Sequence, residues 1–193
     1  MKFVYLVRHG ESTLNAQNRH QGWIPRNPLT SDGHVQAKNA GAFLKDHPIE
    51  HIISSPLLRA RQTSKIISQH LDVPIRISHG LIEFRRSKSQ EGMLKEECLM
   101  LPEFQYWLRN INNRDFSLPD GDSLNQFRRR IVRFAKRIGE NTQQESVLLV
   151  THQSPIQELI LHWTGEHIEL SEIPNCAIFR IHLDSKELEV LRR

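Results

Sequence analysis

The chain has 193 residues, 38% of them hydrophobic, and its 26 Lys and Arg against 22 Asp and Glu give a formal net charge of +4. This balance excludes an acidic disordered protein, and apolar runs far below the roughly 18 residues that a membrane span needs exclude an integral membrane protein. A chain of this length buries about 70% of its unfolded surface, so we expect one domain over residues 1–193, and its two cysteines predict a reduced, cytoplasmic protein.

The first part of the chain predicts three strands separated by helices. Residues 1–9 are rich in β-branched and aromatic side chains and predict a buried strand. A helix is predicted to begin at Ser31, and a short buried strand to cover 51–54. The helix expected over 55–71 opens on a Ser-Pro pair, a capping serine followed by proline in the first turn. A third strand is predicted at 74–78. The first helix is expected to bury Val35, Ala37, Phe43 and Leu44.

The middle of the chain, residues 85–121, is polar and irregular, with short helical pieces expected near 93–100 and 103–112. We expect this segment to form a small cap that selects the substrate. Asp122 is expected to cap a helix of about 18 residues. Apolar side chains at helical spacing predict its buried stripe: Leu124, Phe127, Ile131, Phe134 and Ile138. Arg128–Arg130 lie away from that stripe and are expected to form a solvated face.

The last part of the chain returns to strands. Ser146–Thr151 predicts a buried strand, Ser154 starts a helix, and 176–183 and 187–192 predict two closing strands near the sheet edge. The alternation of strands and helices favours an α/β fold, a three-layer α/β/α sandwich with a mostly parallel central sheet.

Charged side chains follow the predicted strands, where an open α/β sheet binds its ligands. Arg8 and His9 end the first strand, Arg59 follows the second, Glu83 the third, and His152 the strand at 146–151. A phosphomonoester carries roughly −1.5 to −2 charges, and each cation about 4 Å away contributes on the order of 4 kcal/mol. Two arginines and a protonated histidine would therefore hold one phosphate group.

Four segments in this order resemble the histidine phosphatase superfamily, the phosphoglycerate mutase-like group. They are RHGES at 8–12, SSPLLRARQT at 54–63, LIE at 81–83 and THQ at 151–153. Weaker similarities are Asn15, QG at 21–22, PLTSDGHVQA at 28–37 and PDGDS at 119–123. The resemblance spans nearly the whole chain and implies a phosphoglycerate mutase-like fold with no metal and no cofactor.

The resemblance also implies a role for each of the five charged residues. His9 would attack phosphorus in line and form a phosphohistidine. Arg8, Arg59 and His152 would bind the non-bridging oxygens. Glu83 would protonate the leaving alkoxide and then deprotonate the attacking water.

Other residues are candidate substrate contacts. Ser12, Asn15 and Gln21 are candidates near the phosphate. Arg85 opens a basic run at 85–88 that is a candidate contact for a second anionic group of the substrate.

Three departures from the family pattern matter for the site. The run FRRSKSQEG after Glu83 is longer and more basic than the family's FGxWEG-like run, so Glu91 is a second candidate proton donor. Asn27 stands where the family often has Asp, and Gln153–Ser154 where two glycines often follow the second histidine.

Hydrolysis of a small phosphorylated metabolite is the function we expect. A phosphoglycerate mutase is the first alternative, although the superfamily's mutases generally have a larger insertion around the acid. A non-catalytic module that binds nucleic acid or phosphoproteins is the second, and basic residues at strand ends rather than along an exposed stripe argue against it. We therefore expect neither a nucleic-acid nor a membrane partner, and the sequence does not specify an oligomeric state.

Overall fold

The computed structural model describes residues 3–140 and 146–193, so the first two residues of the predicted opening strand lie outside it. Its strands are β1 (Phe3–Arg8), β2 (His51–Ser54), β3 (Ile75–Ile77), β4 (Ser146–Thr151), β5 (Ile178–His182) and β6 (Glu187–Arg192). They form one sheet in the order β3-β2-β4-β1-β5-β6. The first four strands in this order run parallel, β5 runs antiparallel to β1, and β6 runs antiparallel to β5 at the edge. The expected mostly parallel sheet is confirmed, with an antiparallel ladder at one edge.

Helices cover both faces of this sheet. They are α1 (Thr13–Ala16), α2 (Ser31–Leu44), α3 (Leu58–Leu71), α4 (Lys95–Met100), α5 (Pro102–Arg109), α6 (Leu124–Gly139) and α7 (Gln153–Thr164). The apolar side chains of α6 and α7 pack on one face, and those of α2 and α3 on the other. The fold is therefore the predicted three-layer α/β/α sandwich. None of the helices in the described part of the chain is long and apolar enough to cross a membrane.

The central strand β1 shows why its sequence is apolar without interruption. Val4 and Leu6 belong to the core beneath α6 and α7, whereas Tyr5 and Val7 belong to the core beneath α2 and α3. Successive side chains of a strand point to opposite faces, so a strand covered on both faces needs apolar residues at every position.

Two helix starts differ from their prediction. The structure begins α3 at Leu58 instead of at the Ser-Pro pair, with Leu57 in the capping position and no side-chain cap. The hydroxyl of Ser55 accepts from the backbone N–H of Leu57 at 3.5 Å and lies 2.8 Å from Nε2 of His152. The cap of α6 is Ser123, not Asp122, and its hydroxyl accepts from the backbone N–H of Gln126.

The buried face of α2 also differs from its prediction. Val35 and Phe43 are 54% and 39% exposed, whereas Ala37 and Leu44 are buried as expected. Small residues allow α2 to approach its neighbour closely, and a Cβ on Gly41 would collide with the ring of His70 on α3.

The segment 85–121 contains α4 and α5, close to the two predicted helical pieces. It carries a small apolar cluster of its own, separate from the two layers of the main core. Its buried members are Phe104, Trp107 and Leu118. Phe84, in the loop that carries Glu83, packs against this cluster and so joins the segment to the carboxyl ends of the parallel strands.

Candidate active site

The five charged residues predicted to converge lie together at the carboxyl ends of the parallel strands. Arg8, His9, Arg59 and Glu83 line a cleft of about 290 Å³. His152, at the end of β4, lies against His9 with the two ring centroids 5.1 Å apart. The parallel pairing of β1 with β4 brings the two histidines side by side, because it places Arg8 opposite Thr151.

The ring of His9 is held in one orientation and one tautomer. Its Nδ1 lies 2.7 Å from the carbonyl oxygen of Gly10, which can only accept, so Nδ1 carries the proton. The other ring nitrogen, Nε2, accepts a hydrogen bond of 3.2 Å from Nε of Arg59. Burial, and then the charges of Arg59 and Arg8, lower the pKa of His9 well below its usual value. His9 is therefore a neutral imidazole with an oriented lone pair on Nε2.

Arg8 and Arg59 are both buried, and backbone carbonyls fix their guanidinium groups. Arg59 donates to the carbonyl oxygens of Gly22 at 3.0 Å and Ile24 at 3.3 Å, and Arg8 donates to that of Ile173 at 2.8 Å. Burial lowers the pKa of each arginine to about 10, so both stay charged at neutral pH. Among the described residues neither forms an ion pair with a carboxylate, so their charge is available to an anion in the cleft.

His152 differs from its prediction in charge. Burial, and then the charge of Arg59, lower its pKa well below the usual value, so the ring is neutral and not protonated. Its Nε2 lies 2.8 Å from the hydroxyl oxygen of Ser55. Its Nδ1 is buried and has no hydrogen-bond partner. When the Ser55 hydroxyl donates to Nε2, the proton of the ring lies on Nδ1, and His152 then offers a hydrogen bond instead of a charge.

Glu83 has the properties of a proton donor. Burial raises the pKa of its carboxyl group, against the opposing effects of the Phe84 N–H, Arg59, the Ser154 hydroxyl and Arg8. The backbone N–H of Phe84 donates to Oε1 at 2.8 Å and fixes the carboxyl group. A carboxyl group of raised pKa that lines the same cleft as a neutral imidazole is the pairing that general acid catalysis needs.

The carboxylate of the alternative proton donor, Glu91, already has an ion-pair and a hydrogen-bond partner. Its Oε1 lies 3.0 Å from Nε of Arg85 and accepts a 2.6 Å hydrogen bond from the backbone N–H of Trp23. These contacts also explain the position of Arg85, whose guanidinium lies 5.1 Å from the ring centroid of Trp23. The side chain of Arg85 does not line the cleft, whereas that of its neighbour Arg86 does.

The candidate contacts near the start of the chain divide into two kinds. Asn15 and Gln21 line the cleft, whereas Ser12 is buried behind them, with its hydroxyl 2.9 Å from Oδ1 of Asn15 and 3.0 Å from Oε1 of Gln21. The amide nitrogen of Asn27 donates to Ser12 at 3.0 Å and to Gln21 at 2.8 Å. The side chain of an aspartate at position 27 would have no N–H to donate. The hydrogen bonds to Ser12 and Gln21 therefore depend on the asparagine that departs from the family pattern.

Sequence reasoning missed the part that Arg130 has in the site. It expected a solvated face at Arg128–Arg130, which holds for the first two residues. The guanidinium of Arg130 instead lies beneath the loop that carries Glu83. It donates to the carbonyl oxygens of Ile82 at 2.5 Å and Glu83 at 3.2 Å. The PDGDS motif gave the only signal for this, since its Asp122 accepts from Arg130 at 3.2 Å.

Three further basic side chains of the cleft had no predicted role. Arg19 and His20, in the loop after α1, and Lys95, in the cap, line the same cleft as His9. Within residues 3–140 and 146–193, no three His, Cys, Asp or Glu side chains group as they would to hold a metal ion.

Comparison with known proteins agrees with this geometry. The model of the histidine phosphatase superfamily, branch 1, matches residues 4–193. A probable phosphoglycerate mutase of Salmonella arizonae is 32% identical over 188 residues, which cover 92% of this chain and 83% of that protein. A Bacillus subtilis protein named an uncharacterized phosphatase is 31% identical over 170 residues, 88% of this chain and 81% of its own length.

Two solved structures show the same fold at lower sequence identity. The crystal structure of a putative α-ribazole-5′-phosphate phosphatase from Escherichia coli matches with a TM-score of 0.84 and 24% identity, covering 100% of this chain and 96% of that one. A mycobacterial glucosyl-3-phosphoglycerate phosphatase matches with a TM-score of 0.75 and 18% identity, covering 99% of this chain and 97% of that one.

Proposed function

This chain belongs to branch 1 of the histidine phosphatase superfamily, and we propose that it is a metal-independent phosphatase that hydrolyses small phosphomonoesters through a phosphohistidine on His9. One observation carries the proposal. The neutral ring of His9 has its proton fixed on Nδ1 and its lone pair on Nε2, beside the charged Arg59. An imidazole of this kind is a nucleophile at neutral pH, and the arginine beside it attracts the phosphate that it attacks.

In the first step the phosphoryl group takes the place of Nε2 as the partner of the Arg59 guanidinium. The lone pair of His9 Nε2 forms the P–N bond while the P–O bond to the leaving group breaks. Glu83 gives its proton to the leaving alkoxide, which departs as an alcohol. Arg8 and Arg59 hold the non-bridging oxygens as cations, and Nδ1–H of His152 donates a hydrogen bond to them.

In the second step water attacks the phosphohistidine. Glu83, now a carboxylate, takes a proton from the water as the P–O bond forms. The P–N bond breaks and its electron pair returns to Nε2. Inorganic phosphate leaves, and both His9 and Glu83 regain their starting protonation. The charge that a metal ion supplies in many phosphoryl transfer enzymes comes here from the two arginines.

Activity is expected to be highest below neutral pH. Glu83 must be protonated in the first step, and burial raises its pKa. A phosphate dianion bound nearby raises that pKa further, since two negative charges repel.

The second candidate function is a phosphoglycerate mutase, which the name and the 32% identity of the Salmonella relative favour. A mutase keeps the phosphoryl group on the enzyme and returns it to a second hydroxyl, whereas a phosphatase gives it to water. Incubation with one phosphoglycerate isomer separates the two, since free phosphate indicates hydrolysis and the other isomer indicates mutase chemistry.

The deciding experiment compares His9→Ala with wild-type protein on p-nitrophenyl phosphate in the presence of a chelator. We expect the variant to lose at least a thousandfold in kcat while wild-type activity persists. His34→Ala, an exposed histidine of α2, is the matched control and should retain wild-type activity. Undiminished hydrolysis by His9→Ala, or complete loss of wild-type activity to the chelator, would overturn the mechanism. Salt-sensitive nucleic-acid binding without any turnover would favour the binding module.

We further propose that segment 85–121 is the cap that selects a small phosphorylated metabolite, within one domain over residues 1–193. Cys98 and Cys176 are both free and buried, which supports a reducing, cytoplasmic location. Nucleic acid and membrane are not partners in this proposal.

A further inference from the structure

A second group of cations faces the cleft from the cap and from the loop after α1. Arg86 and Lys95 belong to the cap, and Arg19 to the loop. Arg19 donates to the carbonyl oxygen of Gly92 at 2.7 Å. Within the described residues none of the three cations pairs with a carboxylate. Their charge is therefore as available as that of Arg8 and Arg59.

The charges that line the cleft exceed what one phosphate group can offset. The cations are Arg8, Arg19, Arg59, Arg86 and Lys95, and the carboxylates are Glu83 and Glu91. Glu91 is paired with Arg85, which lies outside the lining, so five cations face one unpaired carboxylate, Glu83. A bound phosphate dianion adds roughly two negative charges. About two positive charges remain when Glu83 is ionised, and about three when its carboxyl is protonated as the first step requires. Like charges held together in a partly buried cleft favour a further anion.

Arg86 is the best oriented of the cap cations. Its guanidinium carbon lies 4.7 Å from the ring centroid of Phe104 and 4.8 Å from that of Trp107. One end of the guanidinium also donates to Oε1 of Gln90 at 3.3 Å, whereas Nε is buried and has no hydrogen-bond partner. A stacked, planar guanidinium without a carboxylate partner is a preformed site for a carboxylate or phosphate group.

The charges of Arg86 and Lys95 both affect the pKa of His20. Burial, and then the charges of Arg86 and Lys95, lower the pKa of His20 to about 4, so its ring is neutral at neutral pH. Arg86, Lys95 and His20 all line the cleft, so both cations face the same bound substrate, with neutral His20 as a candidate hydrogen-bond partner.

We propose that the substrate carries a second anionic group, a carboxylate or a second phosphate, which Arg86 and Lys95 bind with help from Arg19 while the scissile phosphate lies at His9. This inference rests on the proposed phosphatase function and adds the substrate class to it. The leaving group is then a charged alcohol, such as a hydroxy acid or a sugar phosphate, and not a neutral alcohol.

Matched substrate pairs test this inference. Glycerol 3-phosphate and 3-phosphoglycerate differ by a carboxylate, and fructose 6-phosphate and fructose 1,6-bisphosphate differ by a phosphate. In at least one pair, we expect kcat/KM to be at least tenfold higher for the substrate that carries the second anionic group, mainly because its KM is lower. This advantage should shrink as salt is added. The pair with the larger ratio identifies the second group as carboxylate or phosphate.

Variants of the cap cations locate the effect. Arg86→Met keeps an apolar side chain on Phe104 and Trp107 while removing the charge, and Lys95→Met removes the other charge. Each is expected to bring the ratio within a pair close to one. Because the ratio is measured within one variant, a loss of folded protein does not change it. Lys88→Met, an exposed neighbour that does not line the cleft, should keep the wild-type ratio.

The outcomes separate the two proposals. Ratios near one in the wild type, or wild-type ratios in both Arg86→Met and Lys95→Met, would overturn the second anion site while leaving hydrolysis at His9 intact. If the wild type hydrolyses no phosphomonoester at all, the proposed phosphatase function fails and the inference fails with it.

Discussion

Arg130 is the side chain that we expect to support the chemistry at Glu83 without touching the substrate. Its two terminal nitrogens donate to the carbonyl oxygens of Ile82 and Glu83 and to the carboxylate of Asp122, at 2.5, 3.2 and 3.2 Å. Asp122 in turn accepts from the backbone N–H of Arg85 at 3.4 Å. The loop that carries Glu83 is therefore held on α6 by one charged side chain. Arg130→Met removes these bonds and keeps an apolar side chain against Phe127.

The cost of this substitution follows from what it leaves behind. A hydrogen bond to a charged group contributes about 1.5–3 kcal/mol, and removing one partner of a buried ion pair costs about 3–5 kcal/mol. The side chains of Arg130 and Asp122 are 22% and 16% exposed, so solvent screens the pair in part. We therefore expect the free energy of unfolding to fall by about 2–3 kcal/mol. A displacement of Glu83 by about 1 Å is enough to lower kcat on the order of a hundredfold.

Urea unfolding followed by circular dichroism measures the first quantity, and phosphate release against pH measures the second. We expect kcat to fall with little change in KM, and the alkaline limb of the profile to move to higher pH because a cation near Glu83 is lost. Arg129→Met is the matched control. Its side chain is 63% exposed and lies 4.0 Å from Asp115, so its loss should change the free energy of unfolding by less than about 1 kcal/mol.

Two results would refute the reasoning about Arg130. A wild-type kcat and pH profile in Arg130→Met would show that Glu83 is held without it. A loss of stability equal to that of Arg129→Met would show that its hydrogen bonds contribute little.

Three further predictions concern buried groups. Burial raises the pKa of Glu83 from 4.5, so the protonated carboxyl stabilises the fold below that value and the stability is lost as pH rises through the raised pKa. Glu83→Gln should therefore lose most of kcat yet gain stability over the wild type in urea at pH 8, a gain that shrinks towards pH 4.5; an equal gain at both pH values contradicts this. Ser55→Ala removes the partner of His152 Nε2 and should lower kcat at least tenfold, whereas Ser64→Ala, on α3, should not; equal kcat values would exclude Ser55 from fixing the tautomer. Burial raises the pKa of the Cys176 thiol to about 12, so a thiol reagent at pH 8 should label it only after unfolding in urea, and rapid labelling of the native protein would contradict its burial.

Much of the fold could be predicted because burial on both faces leaves a strong pattern in the sequence. The apolar run of β4 has no alternation, and the structure covers both of its faces. Arg8 ends such a strand, and His9 and His152 directly follow one, so the strand ends alone bring these residues to one edge of the sheet. Arg59 and Glu83 also follow predicted strands, but they lie on a helix and in a loop whose positions the strand ends do not fix, so the motifs strengthened their assignment.

The structure differs from the predictions at residues whose side-chain direction or surroundings the local sequence pattern does not determine. Helical spacing placed Arg130 opposite the buried stripe, but only the path of a distant loop shows that its side chain meets backbone carbonyls. Arg85 and Arg86 are adjacent in an irregular segment, and the choice of which one faces the cleft depends on Glu91 and Trp23. The neutral state of His152 depends on complete burial, which the sequence around it does not reveal.

A single physical cause, burial at the strand ends, prepares the three kinds of group that the proposed reaction needs. Burial disfavours charge, so it lowers the pKa of the base His9 and raises that of the acid Glu83. The first becomes a free nucleophile and the second a proton donor. The same burial lowers the pKa of Arg8 and Arg59 only to about 10, which still leaves both charged at neutral pH. Lysines would be far less suited to these two positions, since their usual pKa is already about two to three units lower. The same desolvation would bring the lysine pKa close to neutral pH, where part of the lysine side chains would lose their charge. Arginine therefore keeps its positive charge in the same buried environment that makes histidine a nucleophile and glutamate a proton donor.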